Sequence, residues 1–229
     1  MTTRSVRVDI PHYRQPNGSP MCGEACLKMI YGMYGIKKSI YDIRQEITKF
    51  SGCFRGRRGN LLFELGIHLL QNGFDIEISS WPSYENNFAC KRFQSMDQKT
   101  LKEALLQLFK VAGGSRTLDC RMMKKFMEKG GKFSTRVATF RELRKRIKSG
   151  IIVLIQTSYI NSNILPYGGN PAHFVVPVEF KGRKISWLDP YLKNETTVNK
   201  EEFLFMLYTL DASVIFVNGP KKNSVGRAS

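Results

Sequence analysis

Four apolar stretches in the last third of the chain constrain the fold more than any other feature. They read "IIVLIQTSY", "AHFVVPVEF", "KISWLDP" and "SVIFVNG". Each has the length and the β-branched and aromatic content of a buried strand. The second and third are separated by Lys181-Gly182, which predicts a tight turn and hence an antiparallel hairpin. A sheet of mostly antiparallel strands is therefore expected in the C-terminal part.

The first 75 residues instead show helical periodicity. From Cys22, apolar residues recur at spacings of three and four until Gly35, and further helices are predicted at 40–47 and 60–71. Gly73 suits a helix C-cap, and the following "FDIEIS" alternates like a strand. A short strand is predicted at 6–10. Helices that precede mostly antiparallel strands indicate an α+β fold.

The length of 229 residues suits one substantial core. We predict a single domain over 1–218, with a basic helical insertion at about 79–135. The last residues, 219–229, contain little that could join a core, and we predict a disordered tail.

Charge is the unusual part of the composition. Lys and Arg outnumber Asp and Glu by 36 to 19, a net charge of +17, which would attract an acidic protein, an acidic substrate or an anionic membrane surface. The segment 120–150 holds 11 Lys or Arg against two Glu, and either a solvated helical face or a docking surface for an acidic protein would explain it. Aromatic residues are sparse there, so nucleic-acid binding is not expected.

The N-terminus lacks the apolar stretch of a signal peptide, and no segment of 18 apolar residues exists. We therefore expect a cytoplasmic protein, although delivery as a secreted effector stays open. The five cysteines have neither a disulfide framework nor zinc-like spacing, so reduced thiols are expected and no metal or cofactor is predicted.

Cys22 lies where a turn-rich loop becomes the first helix. A helix N-terminus presents unpaired N–H groups and a positive dipole end, and both favour a thiolate. Gly23 beside it would leave room for a substrate carbonyl. The amide of Gln15, seven residues upstream, could complete an oxyanion hole with the Cys22 N–H. Cys26, one turn further along, is expected to be a core thiol, with a redox role as the alternative.

A cysteine nucleophile needs a base, and His173 is the best placed of the three histidines. It opens a strand after the Gly-rich loop "LPYGGNPA", whose Gly169, Asn170 and Ala172 we predict to contact substrate together with Gly23. Asp189 ends the partner strand of the predicted hairpin. His173 and Asp189 should therefore lie side by side, as an orienting carboxylate requires.

Taken together, these motifs resemble the papain-like cysteine peptidases of the bacteriocin-processing, double-glycine type and their standalone relatives. The resemblance rests on Gln15, "CGEACLKMIYGMYG" and "AHFVVPVEFKGRKISWLDP", and it extends to "GNLLFELGIHLLQNGFDIEI" and "TFRELRKRIKSGIIVLIQ". It covers most of residues 8–217 but not the region 79–135. Met21 and Glu24 stand where many members have Asp and Pro. No transporter module is present in the sequence.

The resemblance implies a papain-like fold in which Cys22 is the nucleophile, His173 the general base and acid, Asp189 its orienter and Gln15 the oxyanion donor. It implies a peptide or protein substrate, which the charge of the chain would allow to be acidic. The same residues would also support deamidation, transglutamination or acyl transfer by a toxin or effector. A catalytically silent basic binding module is the non-enzymatic alternative. The sequence leaves the oligomeric state open.

Overall fold

A computed structural model describes residues 5–51, 62–80, 97–100, 103, 116–158, 172–208 and 212–221. The helices in these ranges are α1 (Cys22–Met33), α2 (Ile40–Ser51), α3 (Leu62–Gln71), α4 (Arg116–Glu128), α5 (Phe140–Lys148) and α6 (Lys200–Tyr208). The strands are β1 (Val6–Arg7), β2 (Phe74–Ser79), β3 (Lys132–Ser134), β4 (Ile152–Ser158), β5 (Ala172–Lys181), β6 (Lys184–Leu188), β7 (Thr196–Asn199) and β8 (Val214–Pro220).

These strands form one sheet in the order β3-β2-β8-β4-β5-β6-β7, and β1 pairs with β5. The pairing is antiparallel throughout except between β2 and β3. The mostly antiparallel α+β architecture expected from the sequence is thus confirmed. The helices do not all precede the sheet, however, because β1 and β2 come from the N-terminal part and α4 to α6 alternate with later strands.

Helices cover both faces of the sheet, as neighbouring residues of β2 illustrate. Ile78 lies against Gly66 of α3, where an added Cβ would come within 2.8 Å of the Ile78 side chain. Glu77, whose side chain points to the opposite face, accepts a hydrogen bond from Arg146 of α5 at 2.8 Å. The core therefore has two layers, one on either side of the sheet.

Several sequence predictions match the structure closely. Helix α1 begins at Cys22 and is followed by Gly35 with a positive φ of 71°, and β5 and β6 form the expected hairpin around Gly182, with φ of 61°. Helix α2 continues four residues beyond the predicted end at Ile47. Strand β7 and helix α6 were not predicted, and β1 is shorter than expected.

The region 79–135, predicted as an insertion, is in its described part packed against the rest of the domain. Where the structure describes it, α4 packs on α3 through the buried Met123 and Phe126, and β3 extends the sheet. This part of the region belongs to the core. Residues 81–96, 101–102 and 104–115 lie outside the described ranges, as do the side chains of 116–120.

The predicted tail, 219–229, overlaps the last strand at its first two residues. Strand β8 extends to Pro220, and the Lys221 N–H donates to the Gly73 carbonyl at 2.7 Å. Ordered backbone therefore reaches at least residue 221, and the rest of the predicted tail lies outside the described residues. None of the helices in the described ranges is long and apolar enough to cross a membrane.

Candidate active site

Helix α1 presents its N-terminus with Cys22 as its first residue. The N-cap position is held by Met21, whose side chain makes no capping hydrogen bond, and the Ala25 N–H closes the first turn on the Met21 carbonyl. The first-turn N–H groups are therefore not neutralised by the side chain that precedes them. The Cys22 side chain is half-buried, and its thiol is free of any disulfide.

His173 and Asp189 meet at the end of the sheet that lies nearest to Cys22. His173 is the second residue of β5, opposite Thr157 of β4, and Asp189 directly follows β6. The Nε2–H of His173 donates to Oδ1 of Asp189 at 2.8 Å, and the Tyr191 N–H donates to the same oxygen at 2.8 Å. Both side chains are buried, so the bond is shielded from water. The two side chains thus lie side by side, although Asp189 lies one residue beyond the end of β6, and their catalytic roles stay a prediction.

Cys22 is the second group that acts on the imidazole, since it lies near enough to raise the pKa of His173. Because Nε2 is engaged by Asp189, Nδ1 is the nitrogen that remains for the thiol. Burial is the largest influence on His173 and disfavours its protonation, but the hydrogen bonds to Asp189 and Cys22 and their negative charges together raise the pKa of His173 to about 9. The environment of the imidazole thus favours its protonated form.

Gln15 lies between the two halves of the site. Its backbone N–H donates to the Pro190 carbonyl at 2.8 Å, next to Asp189, and its Nε2 donates to the Ser19 carbonyl at 2.5 Å in the loop that leads to Cys22. The buried Oε1 of Gln15 has no hydrogen-bond partner. The side-chain amide carries a second N–H hydrogen besides the one given to Ser19.

Cys26 holds α1 against the strand that carries His173. Its thiol is fully buried and donates to the Phe174 carbonyl at 3.3 Å, one residue beyond His173. Burial raises the pKa of the Cys26 thiol well above its ordinary value, with smaller contributions from Cys22, Asp189 and Glu24. These properties are those of a core thiol that keeps its proton, the first of the two roles considered from the sequence.

Of the four residues predicted to contact substrate, the structure describes two, Gly23 and Ala172. Gly23 is buried, and a Cβ placed on it would lie 2.9 Å from Cδ1 of Leu65, so the glycine allows α1 to approach α3 closely. Ala172 begins β5 opposite Ser158, and nothing is described of its side chain. Gly169 and Asn170 lie outside the described residues. Contact of these residues with substrate stays a prediction.

Two features near the site were not anticipated from the sequence. Glu24, in the first turn of α1, is fully buried and accepts a hydrogen bond from Arg44 of α2 at 2.8 Å. His12 donates from Nε2 to the backbone carbonyl of Asp189 at 2.8 Å. Both contacts join residues far apart in the chain, so local pattern gives no signal for them. Within the described ranges, no group of three or more His, Cys, Asp or Glu residues is arranged to hold a metal ion.

Comparison with known proteins gives a fold-level relationship. No protein-family model matches the chain, and no curated protein matches its sequence. Among solved structures, a protein from Bacillus anthracis described as a C39-like peptidase is 16% identical, with a TM-score of 0.50, and the match covers 96% of this chain and all of the other. A double-glycine motif protease from an AMS/PCAT transporter, solved with its leader peptide, is also 16% identical, with a TM-score of 0.48, and covers 96% of this chain and 97% of its own.

The match to the Bacillus anthracis protein covers 96% of this chain, which includes both the N-terminal helices and the C-terminal strands. The chain therefore has the papain-like α+β fold of the C39-like peptidases.

Proposed function

We propose that this protein is a cysteine peptidase in which Cys22 is the nucleophile, His173 the general base and acid, and Asp189 the residue that orients His173. The observation that carries the proposal is the hydrogen bond between His173 and Asp189 beside Cys22, which begins a helix whose N-terminus has no side-chain cap. A nucleophile, a base and a third group that orients the base are the parts that acyl transfer through a thiol requires. The fold match supports the same reading.

In the first half of the reaction, the Cys22 thiolate attacks the carbonyl carbon of the scissile peptide bond. The developing oxyanion accepts hydrogen bonds from the Cys22 backbone N–H and from the second amide hydrogen of Gln15. Protonated His173 then gives its Nδ1 proton to the leaving amine. The C–N bond breaks, the amine departs and the acyl group remains on Cys22 as a thioester.

In the second half, neutral His173 accepts a proton from water through Nδ1, and the resulting hydroxide attacks the thioester carbon. The C–S bond breaks, the carboxylic acid leaves, and the proton on His173 restores the ion pair with the Cys22 thiolate. Asp189 keeps the imidazole in one orientation throughout, because its carboxylate accepts from Nε2–H in both states. Water is the only co-reactant.

The substrate class follows from charge. A chain with a net charge of +17 attracts anionic segments at long range, so we propose peptides or protein segments rich in Asp and Glu. Attraction of this kind weakens as salt increases, and KM for an acidic peptide should therefore rise with ionic strength while KM for a neutral peptide should not.

The test is cleavage of a mixed-sequence peptide library, read by mass spectrometry, with the wild-type protein and three variants. Cys22→Ala should lower kcat/KM by at least about 10³-fold, because no other thiol replaces the nucleophile. Gln15→Ala should lower kcat by about 10²-fold yet leave the rate of Cys22 alkylation unchanged, because alkylation forms no oxyanion. Cys26→Ala is the matched control, since it removes the neighbouring thiol and should retain cleavage.

Three outcomes would contradict the proposal. Equal cleavage by wild type and Cys22→Ala would exclude Cys22 as the nucleophile. Release of ammonia from glutamine-containing substrates without chain cleavage would replace the peptidase with a deamidase on the same residues. Binding of acidic peptides with no covalent turnover would support a silent binding module.

A further inference from the structure

The carboxylate of Asp189 belongs to a tightly bonded turn at the end of β6. The Asp189 carbonyl accepts the Leu192 N–H at 3.1 Å, while its Oδ1 accepts the Tyr191 N–H at 2.8 Å. These bonds lie within the turn itself. A third donor comes from a distant part of the chain: Nε2 of His12 donates to the Asp189 backbone carbonyl at 2.8 Å.

His12 is brought there by the N-terminal segment, defined here as residues 5–15. This segment follows β5 towards the site, with Val6 opposite Phe180 and the Val8 N–H donating to the Val178 carbonyl at 2.8 Å. At its far end, the Gln15 N–H donates to the Pro190 carbonyl at 2.8 Å. The segment is therefore fixed on both sides of His12.

Arg14 adds a third tie between the N-terminal segment and the turn. Its Nη2 donates to the Tyr191 carbonyl at 3.4 Å. The carbonyls of three successive residues, Asp189, Pro190 and Tyr191, thus each accept a hydrogen bond from the N-terminal segment. Of these three hydrogen bonds, the one from His12 reaches Asp189 itself, whose carboxylate contacts His173.

We propose that His12 is a positioning residue, which fixes the Asp189 carboxylate against His173 by holding the Asp189 backbone carbonyl. The proposal rests on the proposed function, in which Asp189 orients His173. The carbonyl carbon and the side chain branch from the same Cα, so a bond that holds the carbonyl in place also limits displacement of the Cα and hence of the carboxylate. Pro190 follows directly and supplies no N–H of its own to steady that peptide unit.

The charge state of His12 does not alter its part in this arrangement. A backbone carbonyl only accepts hydrogen bonds, so Nε2 of His12 is the donor whether the ring is neutral or protonated. Among the residues that the structure describes, the titratable groups that act on His173 are the Asp189 carboxylate, beyond β6, and the Cys22 thiol, on α1. His12 acts on the first of these through the backbone and touches neither the substrate nor the reacting atoms.

The test compares three substitutions of His12 in the full-length protein. His12→Gln keeps a donor at the place of Nε2. His12→Phe keeps the ring shape without a donor. His12→Asn carries its donor at the place of Nδ1 and falls short of the carbonyl. The first readout is the rate of Cys22 alkylation by iodoacetamide from pH 5 to 10, which needs no substrate and shows an upper inflection where His173 loses its proton.

We expect the upper inflection of the wild-type protein near pH 9, and its disappearance in His173→Gln. His12→Phe and His12→Asn should move the inflection to lower pH and, with a cleavable peptide, lower kcat by about tenfold with KM nearly unchanged. His12→Gln should restore both readouts to within about twofold of wild type.

The outcomes separate this proposal from the proposed function. An inflection in His12→Phe or His12→Asn at the wild-type pH, with wild-type kcat, would overturn the positioning role alone. Equal losses in all three variants with matching decreases in Tm would reduce His12 to a packing residue and also overturn it. Absence of any His173-dependent inflection in the wild-type protein would overturn both, because Cys22 and His173 would then not form a pair.

Discussion

Asp189 is surrounded by hydrogen-bond donors. Its Oδ1 receives the His173 imidazole and the Tyr191 N–H, while its carbonyl receives His12 and Leu192. Side-chain and backbone oxygens of one residue are thus both fixed by the surrounding structure. Such a residue influences the imidazole through its charge as well as its position, and the two influences can be separated by substitution.

Asp189→Asn keeps a hydrogen-bond acceptor for His173 and removes only the negative charge. Since that charge and hydrogen bond raise the pKa of His173, the substitution should lower this pKa from about 9. The imidazolium then loses its proton at lower pH, and the basic limb of the kcat/KM profile should move towards neutrality. At pH 8 we expect kcat/KM to fall about tenfold, the value of one charge-assisted hydrogen bond replaced by a neutral one.

The matched control for this experiment is Asp9→Asn, which removes one exposed carboxylate outside the catalytic series. The control should leave the pH profile unchanged. A basic limb in Asp189→Asn that coincides with the wild-type limb would show that Asp189 does not raise the pKa of His173.

At the scale of elements, the packing of α1 on α3 determines where Cys22 lies. Gly23 follows the nucleophile, and a Cβ at this position would approach Cδ1 and Cδ2 of the fully buried Leu65 to 2.9 and 3.0 Å. Real Cβ contacts are longer, so either α1 or the Leu65 side chain has to move when a methyl group is added. A movement of α1 would carry the Cys22 thiol away from His173.

Gly23→Ala should therefore destabilise the protein by about 1–3 kcal/mol, although alanine has the higher helix propensity. It should also slow Cys22 alkylation, because the thiol would then lie farther from His173. The double variant Gly23→Ala/Leu65→Val, which shortens the facing side chain, should recover part of both losses. Chemical denaturation and alkylation rates are the measurements, and Leu65→Val alone is the control. Stability of Gly23→Ala at or above that of wild type would disprove the tight contact.

The elements that were predictable from sequence are those with local signals. The start of α1 at Cys22, the end marked by Gly35 and the hairpin at Gly182 follow from periodicity and from glycines that adopt positive φ. Because strand pairing in a hairpin is set by its turn, the contact of His173 with Asp189 was also predictable. Helix α6 was not, because its apolar residues surround the helix instead of forming one stripe; Phe203 is buried and Phe205 exposed.

The parts of the site that escaped prediction depend on long-range packing. The bond from His12 to Asp189 spans 177 residues, and that from Arg44 to Glu24 joins two helices. Nothing in the neighbourhood of either residue indicates its partner. Glu24 is an example. An acidic residue in the first turn of a helix is ordinarily exposed to solvent, where it interacts favourably with the helix dipole. Here the side chain of Glu24 is fully buried instead.

At the scale of the whole molecule, a polar network joins the three N-terminal helices; it is buried at Tyr31 and His68 and partly exposed at Glu46 and Lys38. The Tyr31 hydroxyl of α1 lies 2.6 Å from Nδ1 of His68 on α3, and Nε2 of His68 lies 2.8 Å from Oε2 of Glu46 on α2. Lys38 holds both carboxylate oxygens of Glu46, at 2.6 and 2.7 Å. With His68 neutral, the Tyr31 O–H donates to Nδ1 and Nε2–H donates to Glu46, so every member is satisfied.

This network predicts that acid weakens the packing of all three helices at once. Burial is the main cause that lowers the pKa of His68 to about 4 from 6.5, although Glu46 opposes the shift. The unfolded chain therefore takes up a proton at His68 between pH 6.5 and 4, while the folded protein does not, and stability falls as the pH decreases through this range. The contribution should be about 3 kcal/mol, at 1.36 kcal/mol per pH unit.

Urea unfolding at a series of pH values measures that contribution as the difference in free energy of unfolding between wild type and His68→Gln. Above pH 7 the neutral glutamine fits the network less well than the imidazole, so wild type should be the more stable protein. Below pH 6.5 the advantage of wild type should shrink by about 3 kcal/mol and level off near pH 4, because glutamine takes up no proton in either state. Carboxylates that do not contact His68 titrate alike in both proteins and cancel in the difference, whereas Glu46, whose pKa is lowered against burial by its bonds to Lys38 and His68, does not. A difference that stays constant from pH 7 to 4 would mean that His68 is protonated as readily in the folded protein as in the unfolded chain, and the neutral form of the network described here would be wrong.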